Sequence, residues 1–348
     1  MAIGAFLNDG GGTNAGSVRV YTNSGGGWEK RGSDLDGSAA DDNFGWSVAI
    51  SGDGSIVAVG ARLANSLSGQ VHVYRWIFGT WQPMGSTIDG VGARDRFGYS
   101  VALSYDGTIL AAGARLFSAG GGINIGHARV FAWTGTDWNQ RGSDLAGSSN
   151  DDQFGDSVAL SSNGSIVAAG GDQGENGGRG YARIYRWSGS AWEQLGSTII
   201  GFSFGDQFGE TVSLSADGTI VAVAADRDSY VAVYRYDGTD WFQIGQTIRG
   251  EARNDQFGFS MSLSSDGNTV VIGGYRNDSD TGHALIFTLS PNGQEWIQVG
   301  QELVGEAVGD QFGIGVSIAD NGNRIAIGAT RNDGSAPNAG SVQVYDFQ

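Results

Sequence analysis

The sequence has no cysteine, three prolines and a single lysine, Lys30, among 348 residues. Without cysteine there are no disulfides, no thiolate metal sites and no cysteine nucleophile, and the redox compartment leaves no mark. The other 19 basic residues are arginines, set against 37 acids, for a formal charge of −17. Such a surface repels phosphate backbones and anionic lipid, which argues against nucleic acid as a partner. It leaves cations, basic proteins and neutral glycans, and its acid-rich, lysine-poor balance fits a saline or calcium-rich setting. No apolar run approaches the roughly 20 residues of a membrane helix, so membrane insertion is not expected. Met1–Ala5 lacks the basic and apolar stretches of a secretion signal. It reads as the middle of a repeat, as expected of a piece cut from a longer precursor.

Glycine is abundant, with 61 residues. Disorder is not the explanation, because 40% of the residues are hydrophobic and alternate regularly. Glycine here supplies turn chemistry.

The organising feature is Asp-x-Phe-Gly, which starts at Asp42, Asp95, Asp152, Asp206, Asp255 and Asp310, 49 to 57 residues apart. Units of that size cannot each bury a core alone, so they must stack on one another. A single domain over residues 1–348 is expected. Within a unit, strand a follows Phe-Gly, as in Trp46-Ser47-Val48-Ala49-Ile50. An Asp-Gly or Asn-Gly pair follows, at 53–54, 106–107, 163–164, 217–218, 266–267 and 321–322. Between two β-patterned runs this predicts type I′ hairpins with glycine at positive φ. Strand b is small and apolar on both faces, as in Ile56–Ala61, which suits a strand between neighbouring sheets. Strand c alternates, as in Val71-His72-Val73-Tyr74, and strand d opens Trp-x3-Gly-x4-Gly at Trp28, Trp81, Trp138, Trp192, Trp241 and Trp296.

Four antiparallel strands per unit, repeated radially, make a β-propeller, and no helical period appears, so the class is all-β. Strands a and d occur six times and strands b and c seven times, 26 in all. The duplicates are Ala2–Ala5 with Ser17–Tyr21 and Ala326–Ala329 with Ser341–Tyr345. A seven-bladed ring with incomplete terminal blades uses every strand; the six-bladed alternative leaves the first two unused.

With Phe-Gly opening strand a and Gly-Ala closing strand b at 4–5, 60–61, 113–114 and 328–329, the unit resembles the FG-GAP repeat of integrin α-chain propellers. The resemblance covers essentially the whole chain and implies a β-propeller used in adhesion and partner binding. Two departures matter. The proline of Gly-Ala-Pro is absent, with Arg62, Arg115 or Thr330 in its place. The a–b turns are also too short for the Asp-rich calcium loop that integrin-like repeats carry there, since calcium needs six to eight oxygens. No cofactor is expected, and calcium stays open only for acids elsewhere.

In a meandering blade the d–a and b–c connections share one end. The b–c loops vary most in length and hold Asp9, Asp172, Glu175, Asp226, Asp228, Asp278, Asp280 and Asp333. Arginines Arg62, Arg115, Arg276 and Arg331 stand where these loops begin. Variable loops on a rigid scaffold are where binding usually resides. Asp9, Arg62, Arg115, Asp172, Asp226, Asp228, Arg276, Asp278, Arg331 and Asp333 are therefore the candidate ligand contacts, weighed against plain solvated turn chemistry.

Residues present in every unit read as architecture. The carboxylates of Asp42, Asp95, Asp152, Asp206, Asp255 and Asp310 should accept local backbone N–H bonds. Phe44, Phe97, Phe154, Phe208, Phe257 and Phe312 should pack between blades. The six strand-d tryptophans read as packing rather than as sugar platforms. His72, His127 and His283 all fall in strand c, and no Ser-His-Asp or His-x-x-His constellation can be assembled. The reading is a non-catalytic, extracellular or cell-surface module that binds protein or glycan through its b–c loops, with weak support from sequons at Asn163 and Asn277. The alternatives are a building block self-assembling through its terminal strands and, least favoured, a propeller hydrolase.

Overall fold

The computed structural model describes residues 1–118, 122–173, 177–334 and 336–347. Its strands form seven antiparallel sheets. The fold is a seven-bladed β-propeller with smaller terminal blades. Strands a, b and c of the second blade are Phe44–Ile50, Ile56–Ala61 and Gln70–Ile77. Ala2–Ala5 and Ser17–Asn23 pair with each other as b and c of the first blade, and Trp28–Lys30 pairs with that same c strand. The last three strands form a separate sheet. The six-bladed alternative is thereby excluded.

The described residues contain 32 strands rather than 26. Each of the six d strands is broken in two. In the second blade Thr80–Pro83 pairs with the end of strand c and Ile88–Asp89 with its start. The first glycine of the tryptophan motif sits in this break. Gly85 has φ +81°, and a Cβ there would lie 3.0 Å from the Trp138 indole. One four-residue helical turn, Asn277–Asp280, interrupts the all-β pattern within a b–c loop.

The a–b turns place Gly54, Gly107, Gly218 and Gly267 at φ +68°, +69°, +72° and +71°. They are not type I′, which needs positive φ at both central residues; none of the preceding aspartates has it. The connection is a four-residue loop, with Ser51 N–H donating to Ile56 O at 2.9 Å and Gly54 N–H to Ser51 O at 2.8 Å. A side-chain lattice fixes it. The Ser51 hydroxyl donates to Asp53 Oδ1 at 2.7 Å and accepts from Ile56 N–H at 3.0 Å, while Ser55 N–H donates to Asp53 at 2.9 Å. The same arrangement recurs at Ser104 with Asp106 and at Ser215 with Asp217.

Two compact units divide the chain: Met1–Gly171 with Tyr185–Glu193, and Asp172–Ile184 with Gln194–Gln348. In the first, Val18, Val20 and Leu35 pack with Phe44, Val57 and Val59, so apolar faces of successive sheets meet. In the second, Ala222, Val231 and Val233 pack with Phe257, Val270 and Ile272. Phe44, Phe97, Phe154, Phe208, Phe257 and Phe312 are all fully buried. Each strand-d tryptophan from Trp81 onward donates its indole N–H to a backbone carbonyl about one repeat earlier: Trp81 to Arg31, Trp138 to Met84, Trp192 to Arg141, Trp241 to Leu195 and Trp296 to Ile244.

Candidate functional site

The Asp-x-Phe-Gly segment is a structural device. Ala39, Ser149, Ser203, Ala252 and Ala307 donate backbone N–H bonds at 2.9–3.2 Å to Asp42, Asp152, Asp206, Asp255 and Asp310, and Gly92 donates likewise to Asp95. The donor lies three residues before the acid, so the carboxylate closes the loop that leads into the motif. The x residue is left-handed every time, from Asn43 at φ +54° to Gln311 at +59°.

Immediately after Phe-Gly, strand a bulges. Phe44 pairs with Ala61 and Ser47 with Gly60, leaving Gly45 and Trp46 unopposed. The same register shift follows Phe208, Phe257 and Phe312. In the third blade both Gly98 and Tyr99 N–H point to Gly113 O. A bulge re-aims the side chain it carries, and bulges are frequent beside functional sites. The re-aimed residue is Trp46, Tyr99 and Asp156 in the first unit, and Glu210, Phe259 and Ile314 in the second. On the partner strand the residue after Gly-Ala is Arg62 and Arg115 in the first unit, and Asp172, Asp226, Tyr275 and Thr330 in the second; Phe6 holds the same position in the first blade, which has no strand a. The frame at these two positions repeats while the side chain changes, which separates them from the constant Phe, Gly and Trp.

In the first unit these side chains interlock. Phe6 meets Trp46 edge-on at 4.9 Å, and Trp46 lies 5.5 Å from Tyr99. The Arg62 guanidinium stacks 3.3 Å above Trp46, and that of Arg115 lies 4.8 Å from the Tyr99 ring. Arg115 donates to the Tyr99 hydroxyl at 2.9 Å and pairs with buried Asp156 at 3.0 Å. Burial, with repulsion from Arg96 and Arg115, pushes the Arg62 pKa down to about 10.

In the second unit Asp226 is 3% exposed, and its Oδ1 accepts no hydrogen bond among the described residues. Burial pushes its carboxyl up to about 6, against the opposing pull of Arg227 and Arg276. Phe259 meets Tyr275 edge-on at 4.8 Å, and the Arg276 guanidinium lies 5.5 Å from the Tyr275 ring. Nearby, Gly177, Phe204, Gly205, Arg227, Arg253 and Asn254 line a cleft of about 500 Å3. Phe204 is 77% exposed there, with the Arg179 guanidinium 5.1 Å from its ring. Arg253 Nε donates to Asp228 at 2.7 Å.

The other sequence candidates are spread along their own loops. Asp9 accepts from Asn14 N–H and Asp333 from Asn338 N–H, each closing its own loop. Asp172 is buried and accepts from Gln207. Asp278 is exposed in the helical turn at φ +45°, and Arg331 is exposed. Glu175 lies outside the described residues. The histidines are held in the fold: His127 Nδ1 lies 3.0 Å from Asp144, and His283 Nδ1 contacts Glu302. Sequence reasoning missed Trp46, Tyr99, Asp156, Phe204 and Arg253. Aligning the repeats and asking which frame position never keeps its residue finds the first three.

The sequence profile of the FG-GAP repeat matches residues 35–74 and 305–345. The chain carries FG-GAP repeats. These two matched copies include the Phe-Gly at 44–45 and at 312–313, each at the start of a bulged strand a. No curated protein matches the sequence significantly. Among solved structures the chain is similar to a candidate 6-phosphogluconolactonase from Bacteroides uniformis, with 15% identity, 99% of this chain and 91% of that chain covered, and TM-score 0.69. It is similar to a protein from Lactobacillus plantarum, with 13% identity, coverage of 100% and 94%, and TM-score 0.66. It is also similar to a periplasmic gluconolactonase from Pseudomonas aeruginosa, with 15% identity, coverage of 99% and 95%, and TM-score 0.63. At these identities the likeness concerns the fold, which hosts many unrelated functions.

Proposed function

We propose that this FG-GAP repeat propeller is a non-catalytic adhesion or binding module outside the cell. It takes a protein or glycan on the ends of its blades that carry the b–c loops and the Asp-x-Phe-Gly segments. The supporting observation is the contrast at the bulge, where an invariant frame presents Trp46, Tyr99, Asp156, Glu210, Phe259 and Ile314 in turn. Repetition of a residue serves the frame; its variation on a fixed frame serves recognition. The cleft beside Phe204 adds an exposed aromatic ring and arginines, residue types enriched where binding energy concentrates. The non-catalytic reading fits the histidines, whose Nδ1 atoms face a carboxylate at His127 and His283 and the Thr87 hydroxyl at His72.

The test is a glycan and protein array probed with the labelled chain and with a Phe204→Ser/Arg227→Ser variant. The expected result is a specific set of ligands lost or weakened in the variant, with an unchanged melting temperature. Undiminished binding by the variant contradicts the placement, and an array without hits contradicts the module. Secretion with a glycan on exposed Asn163 checks the extracellular assignment.

A second reading is self-assembly. Among the described residues, no strand pairs with the outer edge of Ser341–Asp346 or with the free edge of Ala2–Ala5. Unpaired edges template pairing with another chain. A mass that rises with concentration in light scattering supports this reading, and a constant monomer mass rejects it.

A further inference from the structure

Three arginines gather where the first unit carries its bulged residues, and among the described residues only one has a counter-ion. Arg115 pairs with Asp156 at 3.0 Å. Arg62 makes one long bond, from Nε to Asn43 Oδ1 at 3.4 Å, and its two terminal nitrogens have no acceptor among the described residues. The Arg96 side chain, on a left-handed residue at φ +57°, makes no hydrogen bond and no ion pair among them. Arg62, Arg96 and Tyr99 are half-buried, so solvent reaches the cluster without fully screening it. In a chain of net charge −17, acids to neutralise these cations are plentiful, yet among the described residues neither Arg62 nor Arg96 forms an ion pair with one.

Like charges in a partly desolvated site repel, and the cost falls when an anion enters. The geometry also prepares one of the cations. A guanidinium stacked flat on an indole keeps its edge N–H donors free in the ring plane, the orientation that grips two oxygens of one oxyanion. The Arg62 guanidinium carbon lies 3.3 Å from the centre of the Trp46 ring, a distance that suits such stacking, with Tyr99 as a second wall 5.7 Å away.

We propose that Arg62 and Arg96 bind the oxyanion of a small ligand, the carboxylate of an acidic sugar or a phosphate group, with Arg62 as the two-pronged contact and Trp46 as its support. The proposal rests on reading these blade ends as a binding surface and names the chemistry they take.

Isothermal titration with D-galacturonate, inorganic phosphate and neutral D-galactose tests it, using the wild-type chain, Arg62→Lys and Arg96→Gln. Saturable binding of galacturonate, phosphate or both is expected, weakening with added salt, with none for galactose. Galacturonate alone identifies a carboxylate ligand, and phosphate alone a phosphorylated one. Arg62→Lys keeps the charge but loses the fork, so it should weaken binding about tenfold or more, the worth of a charged hydrogen bond. Arg96→Gln, on a loop, should weaken it several-fold and serves as the test if Arg62→Lys lowers the melting temperature. Absence of binding to both anions, equal binding of galactose, or full affinity in Arg62→Lys and Arg96→Gln overturns the proposal. Array hits that persist through such a failure leave the binding-module reading standing.

Discussion

The indole N–H of Trp138 donates to the backbone carbonyl of Met84 at 2.8 Å, a buried bond from strand d of one blade to the break in strand d of the blade before. Trp28 occupies the same position in its own repeat, yet it is 37% exposed and its indole has no acceptor among the described residues. The same substitution should therefore differ between them. Trp138→Phe strands a buried carbonyl and should cost about 1–3 kcal/mol, whereas Trp28→Phe should stay within about 0.5 kcal/mol, as for an ordinary surface change. Urea unfolding of the two variants measures the difference, and equal losses contradict the bond's role.

Phe257 has no exposed surface and packs with Val231, Val270 and Ile272. Phe257→Ala should cost about 3–5 kcal/mol through lost burial and the cavity left behind. A loss below about 1 kcal/mol means that the motif phenylalanine is not a keystone of the core.

Asp226 gives a pH signature. Its folded pKa of about 6 lies above the ordinary value of 3.8. The fold thus favours the neutral acid, and the stability this contributes is complete below the ordinary pKa and lost as pH rises through about 6. Asp226→Asn removes the charge at every pH. It should be more stable than wild type by about 2–3 kcal/mol at neutral pH, with the gain vanishing below about pH 4. Denaturant unfolding at acid and neutral pH checks this, and a gain independent of pH contradicts it.

The a–b turns separate backbone strain from contact. A Cβ added at Gly54 would meet only ordinary contacts, the nearest an Arg31 guanidinium nitrogen at 3.5 Å. Gly107 would place a Cβ 2.6 Å from Ile56. Gly54→Ala should cost about 1–2 kcal/mol, the penalty of a left-handed residue alone, and Gly107→Ala distinctly more. Equal thermal shifts in the two variants contradict the packing assigned to Gly107.

Architecture was legible because each repeat tests the others. Phe44, Trp81 and Gly54 recur with fixed partners, and six copies reveal what one does not. The turn type was not legible, since it depends on the Ser51 hydroxyl bridging Asp53 and Ile56, a lattice no dipeptide rule contains. The bulge after Phe44 was hidden too, because register belongs to the pairing with Gly60 and Ala61 rather than to strand a alone. For that reason Trp46 and Tyr99 read as ordinary strand residues. Arg62 and Arg115 were visible because they replace the proline expected after Gly-Ala. Phe204 and Arg253 sit in segments that introduce an architectural motif, and nothing in their local sequence distinguishes them.

The central claim is that recognition belongs to the blade ends bearing the bulged residues, and the most direct measurement is a hydrogen–deuterium exchange footprint with a ligand found on the array. Protection is expected to be confined to the b–c loops and the segments leading into Asp-x-Phe-Gly, including those around Arg62, Arg96 or Phe204. Protection at the opposite ends, in the a–b turns around Gly54, Gly107 and Gly218, contradicts it.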